Sequence, residues 1–75
     1  MRITGTRSYI KVEIDGKVVK IDGEMLVGGF VAYQDSIHNW EPPYEDEVIS
    51  DSKKQEIIDK VIEKTKNSYM QITFE

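Results

Sequence analysis

The stretch YIKVEIDGKVVKID, residues 9–22, constrains the fold more than any other part of the chain. Asp15-Gly16 is a favoured two-residue turn, because both positions accept the positive φ that a tight hairpin requires. A turn centred there sets Ile14 opposite Lys17, Val12 opposite Val19 and Ile10 opposite Ile21. These residues share one face, which is apolar and must be covered. The other face brings Lys11 against Lys20, a repulsion that Glu13 and Asp22 are placed to offset as diagonal neighbours. A slip of one residue would turn the whole apolar set outward, so burial specifies the register. Arg7 would meet Glu24 if the ladder ran that far.

The segment EMLVGGFVAYQ continues the sheet. Gly28-Gly29 is expected to turn a second hairpin, with Leu26 opposite Val31 and Val27 opposite Phe30. The alternative is a bulge in a bent strand. SDSKKQEIIDKVIEKTK is the one helix, between about Ser52 and Lys66. Ile57, Ile58, Val61 and Ile62 fall on one stripe, which Thr65 extends. Ser52 and Gln55 have capping-box spacing, with Ser50 and Asp51 as competing caps. Glu56 and Lys60 make a favourable i,i+4 pair, and Asn67 is a C-terminal stop. SYMQITF reads as a strand near Tyr69–Phe74, with Met70, Ile72 and Phe74 on one face. The expected fold is α+β. A small antiparallel sheet of about four strands begins with a hairpin, one helix in the C-terminal half covers it, and a final strand follows. Residues 1–75 are read as a single domain with a small core.

HNWEPPYEDE, residues 38–47, is the unusual segment. It holds the only Trp (Trp40), the only His (His38), both prolines (Pro42, Pro43), Tyr44 and four carboxylates. The prolines exclude a helix interior and disfavour a central strand. A connection of roughly a dozen residues is long for a compact domain, which points to function. Charge is uneven around it. Residues 1–20 balance at +3, residues 21–52 at −8 with no Lys or Arg, and residues 53–75 at +1. The acidic block argues against nucleic acid as a ligand. It argues for a basic partner, whose approach the field would speed. On charge alone, a solvated acidic loop that keeps the protein soluble is the reading that comes first.

Residues suited to catalysis are scarce. The absence of Cys excludes disulfides and thiolate metal sites and fits a reducing compartment. His38, alone in a loop, reads as a solvent-exposed side chain rather than a general base. Glu45-Asp46-Glu47 lacks the alternating ligands and turn glycine of a calcium loop. Gly28-Gly29 is not followed by a helix, so no phosphate cradle forms there. No nucleophile motif is present. These features argue against an enzyme, and no catalytic, cofactor or metal residue is assigned. A nucleic-acid site would have to use Arg2, Arg7, Lys11, Lys17 and Lys20, with Tyr9 as a stacking platform, on a domain that is acidic overall.

A protein-binding surface fits the loop better. Trp40 and Tyr44 are residue types enriched at interface hot spots. Pro42 and Pro43 limit the entropy lost on docking. Glu41, Glu45, Asp46 and Glu47 would select a basic partner. Trp40 has a second reading, in which it folds back to plug the core with a proline on its ring. MRITGTRSY has no apolar run suited to a signal peptide, and no stretch approaches the ~20 apolar residues of a membrane span. The expectation is a soluble cytoplasmic monomer, with a homodimer through a sheet edge as the alternative.

The run GFVAYQDSIHNWEPPYEDEVIS, followed by KKQEIIDKVIEKT and ITFE, resembles the immunity protein 74 family of bacterial polymorphic toxin systems. The likeness extends over nearly the whole chain, including IDGKVVKIDGEM, and is most specific at Ser36, Ile37, Trp40, Glu41, Pro42 and Pro43. It implies a non-enzymatic antitoxin that binds a secreted toxin domain, often a nuclease, and blocks its active site.

Overall fold

The first hairpin forms in the expected register in the computed structural model, which describes residues 1–75. Asp15 and Gly16 both take positive φ, 54° and 80°. Strands β2 (Tyr9–Ile14) and β3 (Lys17–Leu26) pair antiparallel through Ile14–Lys17, Val12–Val19 and Ile10–Ile21. Ile10, Val12, Ile14, Val19 and Ile21 are all buried, so the apolar face of the hairpin is the covered one. The Arg7–Glu24 pair does not form. Arg7 lies outside β2, and its carbonyl accepts from the Met25 N–H at 3.0 Å.

The second hairpin turns two residues' worth of register away from the expectation. Leu26 faces Gly29 and Met25 faces Phe30 in β4 (Gly29–Ala32), so the turn is Val27-Gly28 rather than Gly28-Gly29. Gly28 takes φ +84° while Val27 does not enter that region. A type II turn needs a glycine at its second central position and none at its first. Gly29 is thereby released into the ladder. Phe30 lies over Gly23, where a Cβ would collide with its ring and with the Val31 carbonyl.

The sheet has five strands rather than about four, in the order β1-β2-β3-β4-β5. The unexpected one is β1 (Arg2–Gly5), antiparallel to β2 with Ile3 opposite Val12. The final strand β5 (Gln71–Phe74) begins later than expected and lies parallel to β4, Ile72 beside Phe30. The sheet is therefore mixed. A parallel neighbour cannot be reached by a tight turn and requires a crossover, which helix α1 (Asp51–Thr65) supplies.

Ser50 caps α1, its side chain accepting from the Lys53 N–H at 3.2 Å. That satisfies one of the donors a helix start leaves open. Ile57, Ile58, Val61 and Thr65 are buried against the sheet. Ile62 is 43 % exposed. It sits at the rim of a stripe centred on Val61, and this corrects its place in the expected inner face. Thr65 Oγ1 donates to the Val61 carbonyl at 2.9 Å and accepts from the Ile72 N–H at 3.2 Å, which ties the helix end to β5. Ile37, Trp40 and Ile49 complete the core from the connection between β4 and α1. No helix is long and apolar enough to cross a membrane.

Candidate functional site

After β4 the chain makes one 3₁₀ turn, Gln34–Ser36, and then a closed loop over residues 39–48. Asn39 and Val48 form an isolated antiparallel bridge at its neck. The Ile49 N–H donates to the His38 carbonyl at 2.7 Å, and the Trp40 N–H to the Glu47 carbonyl at 3.4 Å. Inside the loop, the Tyr44 N–H donates to the Glu41 carbonyl and the Glu47 N–H to the Tyr44 carbonyl, both at 3.0 Å. Asn39 Nδ2 donates to the carbonyls of Glu45 at 3.0 Å and Glu47 at 3.4 Å. Close ends and internal bonding are the features of a compact Ω-loop. The Pro42–Pro43 bond is cis.

The loop is docked on the first hairpin. The Glu41 N–H donates to the Val18 carbonyl at 2.7 Å, on the half of β3 that β4 does not reach. Lys17 Nζ lies 2.6 Å from Glu47 Oε1. It also stands 5.0 Å from the Tyr44 ring centroid and 5.8 Å from that of Trp40, within cation–π range. Lys11 Nζ is 3.5 Å from Glu41 Oε1. The Lys11–Lys20 repulsion is thus relieved by different groups from those expected. Lys11 turns to Glu41, Lys20 lies 4.6 Å from the Tyr9 ring centroid, and Glu13 is engaged by Arg2 at 3.6 Å.

The family model of immunity protein 74 matches residues 2–75. The chain belongs to the immunity protein 74 family. No curated protein and no solved structure matches it. The family name implies an immunity protein, and with it a toxin as partner.

In this immunity protein 74 member the residues singled out in the loop divide into three groups. Trp40 is 6 % exposed and lies in the core beside Ile37 and Ile49, which is its second reading. Glu41 and Glu47 are ion-paired to Lys11 and Lys17. Pro42, Pro43, Tyr44, Glu45 and Asp46 are exposed, and no cation lies within ion-pair distance of Glu45 or Asp46. Three of the five cations that a nucleic-acid site would need, Arg2, Lys11 and Lys17, are engaged by carboxylates.

His38 is exposed, in a shallow depression with Asp35, Asn39, Asp51 and Lys54. No three His, Cys, Asp or Glu side chains are grouped as metal ligands would be.

A second ionic cluster joins the hairpin turn to the helix. Lys53 Nζ contacts Asp15 Oδ2 at 2.7 Å and Glu56 Oε2 at 3.1 Å, and Lys60 reaches the same Glu56 oxygen at 3.1 Å. The Glu56–Lys60 pair follows from helical spacing. The Lys53–Asp15 pair crosses two elements and has no local signal.

Proposed function

We propose that this protein neutralises a bacterial toxin domain by binding it through the exposed part of the 39–48 loop, with no chemistry of its own. The observation that carries the reading is the unequal state of the loop's acids. Glu41 and Glu47 are held by lysines of the same chain, whereas Glu45 and Asp46 have no cationic partner. They are exposed on a loop whose backbone is already ordered by its own hydrogen bonds. Tyr44, Pro42 and Pro43 lie beside them as exposed contact area of low conformational freedom.

A basic groove suits such a tip. Nuclease toxins carry basic grooves for phosphates, and two carboxylates can enter one as a phosphate mimic. The acidic middle of the chain would speed the encounter. In this reading Trp40 supports the loop from beneath and does not touch the toxin. The protein acts in the cytoplasm as a monomer.

The test is co-expression with its cognate toxin domain. Wild-type protein restores growth. Glu45→Lys with Asp46→Lys, shown by circular dichroism to be folded, does not. Full protection by that double variant would remove the loop tip from the interface.

A further inference from the structure

We infer that Lys17 is the positioning residue of the 39–48 loop, holding it in one shape before a partner arrives. Its functional meaning rests on the reading of this loop as the toxin contact. Two observations converge on one ammonium, and a third lies on the strand residue beside it. It makes the shortest ion pair of the loop, 2.6 Å to Glu47 Oε1, and its side chain is only 29 % exposed. It lies over the face of Tyr44 and near Trp40. Its neighbour Val18 supplies the carbonyl that receives the Glu41 N–H. Lys17 therefore bonds one end of the tip at Glu47 and packs on its middle at Tyr44, while the adjacent strand residue holds the other end at Glu41.

The arrangement separates two explanations of the lysine. If the loop acted only as a negative patch, Lys17 would be a defect, since it cancels one of the charges. Removing it would then leave the loop's shape alone and make the patch more acidic. If Lys17 positions the loop, removing it loosens the backbone around Tyr44 and Glu47, whatever happens to the charge. The loop is bonded to β3 at few other points, so the loosening stays local.

Amide hydrogen exchange measured by NMR on the free protein decides between them. The probes are the N–H groups of Tyr44 and Glu47, both bonded within the loop, with the amides of Ile21 and Val61 as core references. In Lys17→Met, which keeps the apolar stem, exchange at Tyr44 and Glu47 rises on the order of tenfold while the core references are unchanged. Lys17→Arg, which retains both the ion pair and the ring contact, restores the slow exchange. Unchanged loop exchange in Lys17→Met overturns the inference. So does an equal rise at Ile21 and Val61, which would make Lys17 a general stability residue, and so does failure of the Arg variant to restore protection. No partner enters this measurement. The positioning role therefore stands or falls on the free protein alone, while the loop as the contact surface stands or falls on the Glu45→Lys with Asp46→Lys variant.

Discussion

Lys53 Nζ lies 2.7 Å from Asp15 Oδ2, joining the turn of the first hairpin to the first turn of α1. The hydrogen bond from Lys53 holds the Asp15 carboxyl below its ordinary value of 3.8. Hydrogen bonds from Lys53 and then Lys60 hold Glu56 below 4.5. Lys53 is raised above 10.5, by Asp15 first and Glu56 second. Carboxyls depressed in the fold stabilise it above their unfolded values, and that stabilisation is lost as pH falls through the folded ones. A raised lysine stabilises below its unfolded value and loses that contribution as pH rises through the folded one. Wild type should therefore exceed Lys53→Met in urea midpoint at neutral pH. The gap should close below the 3.8–4.5 range and again above 10.5. It should be small throughout, because the cluster is exposed to solvent. A gap that persists undiminished in acid would mean that Lys53 acts through packing.

Ile57 and Ile62 lie on one helix in opposite circumstances. Ile57 is fully buried against the sheet, whereas Ile62 is 43 % exposed. Ile57→Ala should lose about 2–5 kcal/mol, a large share of a small domain's stability. Ile62→Ala should stay within about 1 kcal/mol, since little apolar area leaves the core and Ala favours the helix. Denaturant titrations of the two variants compare them directly. Equal losses would place the inner face of α1 elsewhere.

Trp40→Ala should lose about 3–5 kcal/mol, the cost of removing a buried aromatic side chain. Any loss of toxin binding should be recovered once the folded fraction is allowed for. A variant of wild-type stability that no longer binds would make Trp40 a contact residue.

Gly23→Ala should destabilise the protein well beyond a surface substitution, because a Cβ there would collide with the Val31 backbone carbonyl and with the Phe30 ring, and only the ring can be made to give way. Adding Phe30→Leu should recover part of that loss by making room. Thermal melts of the single and double variants test the coupling.

Charge reversal at the tip should act on rates. Glu45→Lys with Asp46→Lys should slow association with the toxin, and less so as salt rises, since exposed charges are screened within ~8 Å at physiological ionic strength. Stability should move by about 0.5 kcal/mol or less. Glu47→Gln should behave differently and loosen the loop, because its carboxylate is bonded to Lys17. Stopped-flow association at low and high salt, beside melts of each variant, separates the two classes of acid. An unchanged association rate in the double reversal would leave Glu45 and Asp46 as solubilising charges.

What was legible along the chain follows the range of the signals. The β2–β3 hairpin was readable residue by residue, because a two-residue turn and an alternating face are local patterns. The helix was readable to within one residue at each end, though its three candidate caps differ only in three-dimensional context. β1 was missed because RITG offers a single large apolar side chain, Ile3, and its strand character comes from the edge of β2. The Val27-Gly28 turn was misplaced because either glycine of the pair can take positive φ. The choice falls to the Gly23–Phe30 packing that follows from the register. In the loop, residue types marked residues 38–47 as unusual. They did not show that Lys11 and Lys17 engage two of its acids, because those contacts cross elements far apart in the chain.

The parallel pairing of β5 with β4 bears on time as well as shape. β1 to β4 follow one another through short turns, so their ladders close with little loss of chain entropy. β5 meets β4 only after residues 33–70 have been gathered in, and that closure is costly before it is rewarded. On this topology the meander should nucleate folding and β5 should lock last. Ile72→Ala should then speed unfolding while leaving the folding rate nearly alone, whereas Val19→Ala should slow folding itself. How fast this protein acquires its fold would depend on its first four strands, and how long it keeps the fold on its fifth.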